Sequence, residues 1–305
     1  MTFAELVQNL DTAPEKALAI FRTNPPYYQD LLDFNRLSGI ACNKWSPYPE
    51  SDVLKKEVWP KHVYSDLLIK EYERIAALFN SREILNLPFK GVDLILSGLY
   101  PDTSWRSTTD IDIFVAEHQF QNAAHLLTAD GYTREPLHDP LHTEQTLVKG
   151  QFTIDLHWNI QSPNRYSLPS SFILEELPWS PERRLYFLIL HGCISRFNKA
   201  IWLYDLIQIL RTQAIDWHTI FAYSRLHRTQ SIVTLTRRLI GATLHHDPPD
   251  YFTRTVWETW QKKTGPYADN ILRAMLFDSP LDLLKFIFYR HLAKLTHLNP
   301  VTPLP

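Results

Sequence analysis

Leu87 to Val115, LPFKGVDLILSGLYPDTSWRSTTDIDIFV, and Phe152 to Ile160, FTIDLHWNI, are the two stretches that decide the fold. Each contains a run in which β-branched and aromatic residues alternate with polar ones, the pattern of a half-buried strand. Successive strand side chains face opposite sides, so Asp110 and Asp112 share one face while Ile111, Ile113 and Val115 take the other. In the second run Asp155 and His157 share a face opposite Ile154, Leu156 and Trp158. Two carboxylates at this spacing repel unless they are solvated, protonated or bridged by a cation. A third on a neighbouring strand would complete an all-oxygen pocket, the ligand set that Mg²⁺ or Mn²⁺ prefers and zinc does not.

Upstream, the apolar run Ile84 to Phe89 breaks at Lys90-Gly91 and passes into an apolar helical segment, Val92 to Leu99. Glycine at such a turn lets a backbone approach a ligand closely, and the helix start offers unpaired N–H groups to an anion. Lys90 adds a full positive charge. Strand, glycine turn, helix, a strand with Asp-x-Asp and a strand with one more Asp form a layout suited to a triphosphate on two metal ions.

The ordered set Lys90-Gly91, Tyr100, Arg106, Asp110-Ile111-Asp112, Gly131-Tyr132 and Asp155-Leu156-His157-Trp158 resembles the bacterial nucleotidyltransferase family described as uncharacterised, within the polymerase-β-like superfamily. His191-Gly192 and Trp202-x-x-Asp205 extend the resemblance over roughly residues 60 to 210. It implies an α+β fold: a small mixed β-sheet core at 84–162, a helical N-terminal cover at 1–83 and a helical C-terminal domain at 163–305. It also implies metal-dependent transfer of a nucleoside monophosphate from a nucleoside triphosphate, ATP by default. Asp110, Asp112 and Asp155 would be catalytic and hold the metal. Lys90, Gly91, Arg106 and His157 are the candidates for the nucleotide phosphates. One departure stands out, since the superfamily commonly has Gly-Ser where this chain has Gly91-Val92.

The remaining sequence sets bounds. At 305 residues and 45% hydrophobic, the chain can bury a sizeable core. A net charge of −2 gives no reason to expect nonspecific nucleic-acid binding. Two cysteines, Cys42 and Cys193, offer no disulfide framework, and neither a signal segment at Met1 to Leu10 nor a bilayer-spanning run is evident, so the expectation is a cytoplasmic protein off the membrane. Helical spacing appears at Phe3 to Leu10, Pro14 to Arg22, Tyr27 to Ile40 and Val53 to Ser81, the last interrupted by Pro60. Glu117 to Ala129 reads as a helix stopped by Gly131, and Glu144 to Lys149 as a strand turning at Gly150 into Phe152 to Trp158. Ser180-Pro181-Glu182 is a helix start for Leu185 to Phe197, and Ser279-Pro280 repeats it before a helix through His297. Further helices are expected at Lys199 to Thr212, Trp217 to Leu226, Ser231 to Leu244 and Val256 to Lys263.

Other residue types have plain explanations. His138, His142, His245 and His246 suggest a zinc site, but His138 and His142 flank Asp139-Pro140, a loop signal that argues against a helical zinc pair. His191, Trp202 and Asp205 fit a structural role, with Asp205 buried and paired, and Cys193 fits apolar packing. The acceptor is open between a small molecule and a protein or peptide. A degenerate relative that binds nucleotide or a partner without chemistry is the alternative, and the Gly91-Val92 departure is its main support.

Overall fold

The computed structural model describes residues 2–136, 143–160, 168–245, 247–263, 271 and 274–288. Helices α1 (Phe3–Asn9), α2 (Pro14–Thr23), α3 (Pro25–Phe34) and α4 (Ser38–Lys44) lead into the long α5 (Glu50–Asn80), which runs through Pro60. Strand β1 (Asn86–Phe89), helix α6 (Lys90–Leu96), strand β2 (Ile111–Val115) and helix α7 (Phe120–Ala129) follow. Strands β3 (Thr133–Arg134), β4 (Glu144–Lys149) and β5 (Phe152–His157) complete one five-stranded sheet. The chain then continues through α8 (Ser171–Leu174), α9 (Pro181–Ile194), α10 (Ala200–Thr212), α11 (Trp217–His227), α12 (Gln230–Leu244) and α13 (Tyr251–Trp260).

The sheet order is β1-β2-β5-β4-β3. Only the central β2–β5 pair is parallel, so the sheet is mixed, and the β4–β5 hairpin turns at Gly150, whose φ is +57°. Helix α9 starts as its sequence predicts: the Ser180 hydroxyl accepts from the Arg183 N–H, and Pro181 fills the first turn. The Ser279 hydroxyl likewise accepts from the Asp282 N–H at the start of the last helical stretch, whose continuation past residue 288 lies outside the described residues.

One expected helix is two. Tyr27 to Ile40 breaks at Arg36, which takes φ +59°. The Arg36 N–H donates to the Asp33 carbonyl and the Leu37 N–H to the Leu32 carbonyl, the pair of bonds that closes a helix around a left-handed residue. The break went unseen because glycine or asparagine usually marks that position and here it is arginine.

The two faces of the sheet have different partners. Ile111, Ile113, Val115, Ile154 and Leu156 pack with the second half of α5 and with α7. Phe89 and Phe114, on the other face, join the larger core built by α8 to α13. That core also takes in α1 to α4, and α1 packs against α12 and α13. Of the N-terminal helices α5 packs directly on the sheet, and the helices before and after the sheet share one core. An amphipathic pattern shows that a face is buried but not what buries it. Cys42 and Cys193 are buried and form no disulfide, and no helix among the described residues is long and apolar enough to cross a membrane.

Candidate active site

The parallel pairing of β2 and β5 sets Asp112 directly opposite Asp155 and Phe114 opposite His157. Neighbours in register point to the same side, so both acids stand on the face toward the C-terminal helices. Asp110 ends the approach loop one residue before β2 rather than lying within it, because ladder pairing begins at Ile111. The three carboxylates still interact. Burial and then the charge of Asp112 raise the pKa of Asp110, with a further contribution from Asp155. Burial and Asp112 raise Asp155 likewise, opposed by a 2.7 Å hydrogen bond from the Thr146 hydroxyl.

Asp112 behaves in the opposite way. Its burial disfavours the charge, but Lys90 and His157 outweigh that and hold its pKa below the usual carboxylate range. The Lys90 ammonium lies 2.6 Å from Asp112 Oδ1 and the His157 Nε2 lies 3.0 Å from the same oxygen. Lys90 is itself a special position: it sits at the strand-to-helix turn with φ +55°, a conformation that costs a long side chain energy and recurs at functional sites. The turn is also tight. A Cβ on Gly91 would fall 2.4 Å from Thr108 Oγ1 and 2.7 Å from Thr108 Cβ, so glycine is required there by the protein's own packing.

Arg106 and His157, both candidates for the phosphates, have carboxylate partners within the protein. The Arg106 guanidinium is 3% exposed and binds Asp205 through two contacts of 3.0 Å, one to each oxygen. The Tyr100 hydroxyl donates to Asp205 at 2.7 Å. Asp205 is therefore buried and paired as expected, and the pair ties the loop before Asp110 to α10. A third contact of Arg106 runs from Nη1 to the Ser107 carbonyl, so each of its three nitrogens is engaged within the protein. His157 is buried, with Nε2 toward Asp112 and Nδ1 3.2 Å from Glu144 Oε2, so it orients carboxylates. His191 lies between Phe89 and Trp202, with centroids at 6.1 and 5.1 Å, and burial drives its pKa well below the ordinary value, as a neutral packed ring requires.

Three carboxylates with an oxygen-only donor set suit Mg²⁺ or Mn²⁺ in kind. Asp110 carries no hydrogen bond or ion pair from its carboxylate among the described residues, and Asp112 and Asp155 are each bonded through Oδ1 alone. As placed, no group of three His, Cys, Asp and Glu side chains among the described residues is gathered to hold one ion. His138, His142 and His246, dismissed as zinc ligands, lie outside the described residues.

A family model described as "Uncharacterised nucleotidyltransferase" matches residues 34–245. The chain belongs to that nucleotidyltransferase family. The match begins within α3 and ends just after α12, so it takes in the sheet, the carboxylates and the Arg106–Asp205 tie. No curated protein and no solved structure matches the chain. The α+β architecture with one mixed five-stranded sheet agrees with a nucleotidyltransferase fold.

Glu144 and Thr146, which contact His157 and Asp155, are neighbours of the candidate site that sequence reasoning missed. They were recoverable. With Lys149 opposite Phe152 across the Gly150 turn, antiparallel counting puts Thr146 opposite Asp155 and Glu144 opposite His157. A cavity of about 350 Å³ opens next to the site, and Arg36, Lys199 and the loop residues Thr108 and Thr109 are among its lining. Nothing local in the sequence marked Arg36 or Lys199. A larger cavity, about 830 Å³, is lined by residues of α10, α11 and α12, Trp217 and Arg237 among them, and by none of Asp110, Asp112 and Asp155.

Proposed function

We propose that this nucleotidyltransferase moves a nucleoside monophosphate from a nucleoside triphosphate, ATP by default, to an acceptor and releases pyrophosphate. The observation that carries the reading is the register of Asp112 with Asp155 on adjacent parallel strands, with Asp110 leading into the same face, in a chain of this family. In the proposed step a nucleophilic oxygen of the acceptor bonds to the α-phosphorus, the bond from that phosphorus to the bridging oxygen breaks, and pyrophosphate carries away the electron pair. Asp155 takes the acceptor's proton: burial beside Asp112 raises its basicity, and the Thr146 hydroxyl fixes its orientation. Asp110, Asp112 and Asp155 would hold Mg²⁺ or Mn²⁺, which when bound polarises phosphoryl oxygens and lowers the pKa of an attacking hydroxyl. Lys90 neutralises Asp112 in the protein alone, keeping a buried acid ionised and ready.

A second reading, a nucleotide-binding or partner-binding module without chemistry, is favoured by one observation. Gly91 is packed against Thr108 and followed by Val92, so the turn offers neither a serine hydroxyl nor spare room. Pyrophosphate release with each nucleoside triphosphate and Mg²⁺ or Mn²⁺ separates the two. Transfer requires release above the metal-free blank, and nucleotide binding with no release for any combination would leave the binding module standing.

A further inference from the structure

The cations that the sequence offers for the phosphates are already engaged: Lys90 with Asp112 and Arg106 with Asp205. Two cations on the wall of the neighbouring cavity are not. The Arg36 guanidinium has no hydrogen bond or ion pair among the described residues, although it is half-buried and close enough to Asp110 and Asp112 for their charges to act on it. Lys199 pairs with no carboxylate among the described residues. Its ammonium rests 3.3 Å from the centroid of the Phe34 ring, and burial, Arg36 and Lys262 all lower its pKa.

The protein holds these two side by side at some cost. Arg36 occupies a left-handed helix-closing position that glycine would take with less strain. Its neighbour Asn35 is fully buried and acts as a clamp: its side-chain amide donates to the Leu31 and Trp260 carbonyls at 2.9 and 3.0 Å and accepts from the Ala200 N–H at 2.9 Å. The Ile201 N–H also donates to the Asn35 carbonyl. The end of α3 is thereby fastened to the start of α10, which puts Arg36 and Lys199 on one wall. The loop running to Asp110 also lines the cavity. It is pinned to α5 by Ser65, whose hydroxyl accepts from the Thr108 N–H at 2.9 Å, and it comes so close to α4 that a Cβ on Gly39 would fall 2.2 Å from the Ser104 carbonyl oxygen. Ser107 and Thr109 in this loop have hydroxyls without partners among the described residues. Lys61 and Asp33 also line the cavity and pair with each other.

We infer that this cavity receives the phosphate chain of the nucleotide, with Arg36 and Lys199 as its cationic contacts and Ser107 and Thr109 as hydroxyl donors. The inference rests on the nucleotidyl-transfer reading and names where that reading's substrate binds. Its volume, about 350 Å³, lies within the ~300–1,000 Å³ of small-molecule sites. The guanidinium suits a phosphate because it can give two parallel N–H bonds.

Isothermal titration of inorganic tripolyphosphate into the metal-free full chain tests the cavity by itself. Wild type should bind, and Arg36→Gly, which suits the left-handed backbone, and Lys199→Gln should each weaken binding roughly ten- to a hundredfold. Melting curves identify any variant that fails to fold, and Arg36→Lys, which restores the charge without the fork, should recover part of the loss. Wild type that ignores tripolyphosphate, or folded variants that bind it as wild type does, overturn the assignment. The two proposals fail separately. Arg36-dependent tripolyphosphate binding with no pyrophosphate release from any nucleotide keeps the cavity and removes the transfer reading. Turnover with an unchanged KM in Arg36→Gly keeps transfer and removes the cavity.

Discussion

Replacing Asp205 with asparagine probes the element that places Asp110. Asparagine keeps the size and one acceptor oxygen, so the Tyr100 hydroxyl retains a partner, but the Arg106 guanidinium, 3% exposed, loses its counter-charge. Leaving one member of a buried pair uncompensated costs about 3–5 kcal/mol. The surviving hydrogen bond puts Asp205→Asn at the lower end. For a chain of this size that corresponds to a fall in Tm of roughly 5–10 °C. Arg106→Gln should cost a similar amount. The double variant should cost less than the two singles together by about 1–3 kcal/mol, since the second change removes the group the first one stranded. Thermal melting and urea unfolding of the four proteins give this cycle. If Asp205→Asn melts with wild type, the pair does not hold the loop, and Arg106 returns as a phosphate contact.

The site acids should divide by sign when metal and nucleotide are absent. Burial and mutual repulsion raise Asp110 and Asp155, so each binds a proton more readily folded than unfolded, and each loses stability as pH rises from its ordinary value through the folded one. Asp112 is lowered, so its stabilisation is present above the ordinary carboxylate value and fades as pH falls through the folded one. At neutral pH Asp110→Asn and Asp155→Asn should therefore raise Tm, and Asp112→Asn should lower it; the same sign in all three would refute the assignment of Lys90 to Asp112. Mg²⁺ or Mn²⁺ with a nucleoside triphosphate at millimolar concentration should raise the wild-type Tm by mass action on the folded state, with an unchanged melt speaking against a nucleotide site.

The strands and their pairing were the most legible part of the chain. Period-two alternation gave β2 and β5, and the Gly150 turn gave the hairpin whose register carries Thr146 to Asp155. Local helix signals worked for the same reason, as at Ser180. The parts that were not legible depend on long-range pairing. Lys90 meets Asp112 across 22 positions and Arg106 meets Asp205 across 99, so the sequence could offer each cation only as a free charge. The share of the core taken by α1 to α4 was hidden likewise, because their apolar faces do not name a partner. Arg36 was missed twice over: an arginine in a helix-closing position gives no stop signal, and its neighbour Lys199 is brought to it by a buried asparagine.

Pyrophosphate released in a single turnover, with saturating nucleoside triphosphate and Mn²⁺, bears most directly on the three carboxylates. Wild type should release it with a suitable acceptor present. Asp110→Asn and Asp112→Asn should lose metal-dependent nucleotide binding and release together. Asp155→Asn should keep most of the affinity and lose most of the rate, because the amide has the carboxylate's shape but hardly accepts a proton. Wild-type release from Asp112→Asn, or from Asp155→Asn, would contradict the catalytic role given to this face of the sheet.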